Sequence, residues 1–150
     1  MDGALRKRMV FHGAVVILLG MLAGFPYALV VTGSLQGSER AWRMTHLEGV
    51  LNGLVLIAVA GVGRRLTLGA RQQTVLAWAL IVTGYGNVVA AAIAATLNVR
   101  GLSPGGSFGN TLVYLLFMVA VVGIFVGLVL VAHGARRSPE PETMERRIRA

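Results

Sequence analysis

Four apolar runs, separated by short segments that carry almost all of the charge, set the pattern of this chain. The first extends from about Met9 to Thr32 and follows the basic cluster Arg6-Lys7-Arg8, and the second runs from about His46 to Val62 and stops at Arg64-Arg65. The third covers about Thr74 to Leu97, and the fourth about Leu112 to Ala132, closed by Arg136-Arg137. A helix needs roughly 17–25 largely apolar residues to cross the hydrocarbon of a bilayer. The pattern therefore predicts an all-α integral membrane four-helix bundle over residues 1–137. Residues 138–150, with two prolines, three glutamates and three arginines, read as a solvated, disordered tail. The first run is longer than the roughly 7–15 residues of a signal-peptide core and lacks a small-x-small cleavage site, so it is expected to be a retained span.

Composition agrees: 55% of residues are hydrophobic and 13% charged, where a soluble domain has about a quarter charged. A formal charge of +8 would ordinarily raise nucleic acid as a partner. Placement argues otherwise. If the amino terminus is inside, Arg6, Lys7, Arg8, Arg64, Arg65, Arg71, Arg136, Arg137, Arg146, Arg147 and Arg149 are cytoplasmic, against Arg40, Arg43 and Arg100 outside. That bias predicts a plasma (inner) membrane protein with both termini cytoplasmic, whose basic residues serve orientation and not nucleic acid. With no cysteine, disulfides, thiolate metal sites and a cysteine nucleophile are excluded. The glycine-rich outer segments 33–45 and 98–110 are the more site-like loops. Gly20, Gly24, Gly123 and Gly127, as two G-x-x-x-G pairs, are expected to serve helix packing.

Polar groups inside a span are costly in lipid, so each is a functional candidate. His46 and Glu48 fall at the outer end of the second run, with Asn52 about 9 Å deeper than His46 at 1.5 Å rise per residue. Thr83, Tyr85 and Asn87 lie near mid-membrane in the third run, Asn87 near the depth of Asn52. His12 and His133, at the opposite ends of their spans, are expected to snorkel to headgroups and to close a helix terminus. At 100° per residue, His46, Gly49, Val50 and Gly53 share one helix face, and Glu48 and Asn52 roughly the opposite one. A histidine above two glycines leaves room for something flat.

A zinc or copper ion would want at least three protein ligands, more than this chain can gather at His46. Haem needs only one axial histidine, and its propionates are commonly met by arginine, here Arg40, Arg43 and Arg100. The same spacing also fits an interfacial histidine that anchors a helix end, and the intramembrane asparagines fit interhelical hydrogen bonding. A small transporter or assembly subunit with Glu48 as an ion site stays open on these residues alone.

The stretch Trp42-Arg-Met-Thr-His46-Leu-Glu-Gly-Val-Leu-Asn52-Gly53 resembles the W-x-x-x-H-x-x-x-x-x-N-G segment of the styrene oxide isomerases. Arg6-Lys7-Arg8-Met9-x-x-His12-Gly13, Gly84-Tyr85-Gly86-Asn87-Val88 and Arg100-Gly101-Leu102 match in order, over about two thirds of the chain. The resemblance implies a homotrimer that binds haem b at subunit interfaces, with His46 as iron ligand and Gly49, Gly53, Arg40, Arg43 and Arg100 around the cofactor. It also implies that ferric iron acts as a Lewis acid on a small hydrophobic epoxide, with Asn52, Asn87 and Tyr85 in the catalytic site. A haem protein without isomerase activity, serving electron transfer, gas binding or haem handling, is the alternative. The chain departs from the family where Thr83 replaces an aspartate, Ala91 a tyrosine and Glu48 a small residue. Ala91 predicts a wider pocket, and Glu48, facing away from His46, is placed to approach a neighbour's haem in a trimer.

Overall fold

The computed structural model describes residues 1–137; the tail predicted at 138–150 lies outside the described residues. The described residues are all-helical: α1 (Gly3–Val31), α2 (Glu39–Val62) with a 3-10 turn at Gly63–Arg65, α3 (Ala70–Leu97) and α4 (Phe108–Arg136). All four helices are long and apolar enough to cross a membrane.

Each helix outruns the apolar run that announced it, and at α2 and α4 serine caps extend the start. Ser38 accepts a hydrogen bond from the backbone N–H of Ala41 at 3.3 Å, and Glu39 sits in the first turn of α2, where the helix dipole favours a carboxylate. Ser107 does the same for α4, accepting from the Asn110 N–H at 3.1 Å. The expected loop over 33–45 is thereby corrected. Arg40, Trp42 and Arg43 ride on the first turns of α2, and His46 sits two turns inside the helix rather than at its end. At the far end of α3, Asn98 closes the helix with φ 52°, a left-handed conformation that asparagine tolerates.

In lipid no hydrophobic force gathers helices, so close approach depends on small residues at the crossings. Between α1 and α2 the seam is glycine on glycine. A methyl group on Gly20 would fall 2.7 Å from the Val50 backbone nitrogen, one on Gly49 would strike the Gly20 backbone, and one on Gly53 would meet the Gly13 carbonyl. Between α3 and α4, Gly123 lies against Thr83 and the Ala79 carbonyl, and Gly127 against Leu80. Gly20, Gly123 and Gly127 thus pack helices as expected.

The main core, with Met9, Val16, Leu56, Leu76, Leu80 and Ile81, joins α1, α2 and α3. Helix α3 is central, half of its most apolar window being buried, against 11% for α4. Helix α4 therefore attaches chiefly through α3 and turns most of its surface outward. At the end bearing the chain's amino terminus, the Met1 amine donates to the Gly63 carbonyl at 2.8 Å and Arg6 Nε to the Ala60 carbonyl at 2.9 Å. These cations satisfy carbonyls at the carboxyl end of α2, where the dipole favours positive charge. The opposite end, bearing the α1–α2 and α3–α4 connections, holds the candidate site.

Candidate functional site

His46 is half-buried on the side of α2 that meets α1. Its Nδ1 lies 2.8 Å from the Gly20 carbonyl oxygen. A carbonyl can only accept, so Nδ1 carries the proton and the lone pair of the neutral ring is on Nε2. A metal-ligating histidine is typically held this way, by a backbone carbonyl on its other nitrogen. Gly24, one turn beyond Gly20, leaves space for the ring: a methyl there would lie 3.4 Å from Nδ1 and 3.7 Å from Cε1. Gly24, expected to pack helices, instead borders the imidazole. Neither it nor the Gly20 carbonyl was marked as a functional group by the sequence.

The flat space expected over Gly49 and Gly53 is filled. Helix α1 occupies it, so within one chain these glycines serve helix approach and do not form a floor for a planar group. They act on His46 indirectly, by bringing the Gly20 carbonyl within reach of the ring.

On the other side of α2, Glu48, Asn52 and Asn87 form a directed hydrogen-bond chain. Asn52 Nδ2 donates to both the Glu48 backbone carbonyl and Glu48 Oε2, each at 2.8 Å, and Asn52 Oδ1 accepts from Asn87 Nδ2 at 3.3 Å. The two asparagines therefore lie at one depth, as their positions along α2 and α3 predict. Both N–H groups of the Asn52 amide are spent on Glu48. The amide hydrogen with no bond in the chain belongs to Asn87 Nδ2.

Glu48 opens onto a groove of about 600 Å³ walled by α2, α3, α4 and the α3–α4 connection. Arg40, Ser38, Asn98 and Arg100 supply its polar lining, and Met44, Ala91, Ala94, Val99, Leu102 and Phe117 its apolar lining. Two of the three predicted arginines, Arg40 and Arg100, are thus gathered here, Arg40 and Glu48 lying about 120° and 200° around α2 from His46. Arg43, exposed one turn before His46, remains outside the groove. One chain therefore presents two distinct surfaces, an oriented imidazole and a polar groove.

Tyr85 is brought to neither surface. Its hydroxyl lies 3.0 Å from His12 Nδ1, and the two rings meet edge to face with centroids 5.7 Å apart. The expectation that His12 snorkels to headgroups is corrected by this contact, since α3 offers a polar partner closer than the interface. Among the described residues, no three His, Asp or Glu side chains gather to hold a metal ion.

Residues 5–136 match the family described as styrene oxide isomerase. The chain belongs to the styrene oxide isomerase family. It is also 26% identical over 134 residues to hydroxylaminobenzene mutase HabB of Ectopseudomonas oleovorans, an alignment covering 87% of this chain and 78% of that protein. Both names denote isomerase-type reactions. Two α3 positions at which the resemblance suggested a departure have different surroundings. Thr83 is 1% exposed, and its hydroxyl is shared between the Ala79 carbonyl at 2.8 Å and the Ala120 carbonyl at 3.0 Å. It bolts α3 to α4, facing away from the groove. Ala91 does line the groove, where its small side chain leaves open volume.

Proposed function

We propose that this chain is a membrane-embedded isomerase that uses haem b, held by His46, to rearrange a small aromatic molecule at a bond to oxygen. The observation that carries the proposal is the 2.8 Å hydrogen bond from His46 Nδ1 to the Gly20 carbonyl. It fixes the tautomer and the ring plane and leaves Nε2 as the ligand atom, which is what an axial haem position asks of a protein. Bound haem would supply a Lewis-acidic iron that polarises the substrate oxygen.

The chain's own residues do the rest. His46 would hold the iron through Nε2, the nitrogen left free by the Gly20 bond. Arg43, one turn from His46, together with Arg40 and Arg100 on the groove, is suited to the propionates at the membrane interface. Since the imidazole and the groove lie on different faces, a homotrimer in which one chain's His46 approaches a neighbour's groove would unite them. Glu48 is the member of the Glu48–Asn52–Asn87 chain that reaches the groove, and Asn52, bonded in turn to Asn87, fixes its carboxylate. Apolar groove walls bind the arene and exclude water.

For an epoxide, one C–O bond breaks, a hydride moves from the oxygen-bearing carbon to the carbocation, and the oxygen's electrons close a carbonyl. Atoms and electrons balance without an outside reductant. The identity to hydroxylaminobenzene mutase favours a second substrate class, arylhydroxylamines such as hydroxylaminobenzene, in which the weak bond is N–O.

The test begins with an absorption spectrum of detergent-purified protein. A Soret band lost in His46→Ala, with helical circular dichroism retained, is the expected result. Formation of an aldehyde from styrene oxide or an isomer from hydroxylaminobenzene completes it. Absence of bound haem, or its undiminished retention in His46→Ala, would overturn the proposal.

A further inference from the structure

We infer that Glu48 is a specificity-determining residue that tunes the groove toward substrates carrying an N–H or O–H donor beside the arene. The inference rests on the isomerase reading above and deepens it by choosing between its two substrate classes. Glu48 lines the groove, and its Oε2 accepts from Asn52 Nδ2 at 2.8 Å. Among the described residues no buried side-chain oxygen or nitrogen lacks a partner, so the remaining carboxylate oxygen is open to the groove. It forms no ion pair with Arg40 or Arg100, although all three line the same space. The groove therefore presents guanidinium donors at its rim and one carboxylate acceptor beside the asparagine chain.

An epoxide has oxygen lone pairs and no donor. Seated in this groove, it would displace water from the Glu48 oxygen and return nothing to it, and a polar group left unpaired on binding is what makes a site reject an analogue. An arylhydroxylamine carries both N–H and O–H, so one can donate to Glu48 while the hydroxyl oxygen accepts from Arg40 or Arg100, which line the same groove. Glu48 has a second consequence through Asn52. By taking both N–H groups of that amide, one through its backbone carbonyl and one through Oε2, it leaves Oδ1 to accept from Asn87 and so orders the polar contacts behind the groove.

Glu48→Gln separates these effects. Its amide oxygen can still accept from Asn52 Nδ2, while its NH2 replaces the groove-facing acceptor with a donor. The experiment compares kcat/KM for hydroxylaminobenzene and styrene oxide in wild type, Glu48→Gln and Glu48→Ala, using full-length holoprotein in detergent. Wild type is expected to favour hydroxylaminobenzene, and the ratio of the two constants to fall at least about 10-fold in Glu48→Gln and in Glu48→Ala. A purely structural role for Glu48 would lower both constants together and leave the ratio unmoved, which would overturn the inference. Wild-type preference for styrene oxide would also overturn it while leaving the isomerase reading intact. Turnover of neither compound by haem-loaded wild type would remove that reading and this inference with it.

Discussion

The His46 ring is held between the Gly20 carbonyl, 2.8 Å from Nδ1, and the bare α-carbon of Gly24. A methyl at Gly24 would stand in ordinary contact with the ring, 3.4 Å from Nδ1, so the added methyls of a branched side chain have to crowd it. On the proposed haem reading, Gly24→Val is therefore expected to weaken haem binding about 10-fold, the usual effect of disturbing the outer partner of a metal-ligating histidine. Titration of apoprotein with haem, followed at the Soret band, measures it. Thr83 tests a different kind of contact, because its hydroxyl donates to carbonyls on two helices. Thr83→Val keeps the shape and loses the bonds, which should cost roughly 0.6–2 kcal/mol of stability in detergent. An aspartate should do more harm: in Thr83→Asp, carboxylate oxygens would face the carbonyls of Ala79 and Ala120, acceptor against acceptor. A thermal midpoint for Thr83→Asp at or above that of Thr83→Val would contradict this account. At this scale the sequence was informative only where a side chain carries the chemistry. His46 is the one imidazole at its depth, and Glu48 and Asn52 are four residues apart on one helix face. The partner of His46 is a backbone carbonyl, which has no sequence signature, and the His12–Tyr85 bond joins residues 73 positions apart.

Helix packing converts the glycines of α1 and α2 into distances at the site. The seam of Gly13, Gly20, Gly49 and Gly53 allows backbone contact, and that contact places the Gly20 carbonyl under the imidazole. Gly49→Ala would set a methyl against the Gly20 backbone, which cannot yield as a flexible side chain does, so the helices must separate. The expected cost is about 1–3 kcal/mol of stability, as for other overpacked interiors, with haem retention falling in parallel because His46 loses its anchor. Gly61→Ala is the matched control in the same helix. Nothing lies within 4 Å of a methyl there, so the variant should match or exceed wild type, alanine being the better helix former. Unfolding in detergent, read by circular dichroism with the Soret band recorded in parallel, separates the two. Equal tolerance of both substitutions would show that the seam does not set the α1–α2 distance. The apolar runs made the four helices readable, because twenty apolar residues in succession have few other fates. Their bounds were less readable, since Ser38 and Ser107 cap polar turns that hydropathy assigns to loops. Those turns carry Arg40 and Arg43 and move His46 from a helix end into the interior of α2.

Across the whole bundle the described cations are sorted by end. Arg6, Lys7, Arg8, Arg64, Arg65, Arg71, Arg136 and Arg137 lie at the end with the amino terminus and the α2–α3 turn, and Arg40, Arg43 and Arg100 at the other. Cytoplasmic loops carry the excess of lysine and arginine, so the first end should face the cytoplasm and the groove should open toward the outer leaflet. That orientation matters for function, because an apolar substrate dissolved in the outer leaflet would reach the groove without crossing the membrane. The chain has no cysteine, which makes the orientation measurable with single introduced thiols. Ser103, exposed in the α3–α4 connection, and Thr67, exposed in the α2–α3 turn, report on opposite ends. In intact cells, Ser103→Cys should react with a membrane-impermeant maleimide, whereas Thr67→Cys should react only after the membrane is permeabilised. The reverse pattern would place the groove on the cytoplasmic side. It would also require the substrate to arrive from the leaflet facing the cell interior, and would leave the basic end exposed where few proteins carry one.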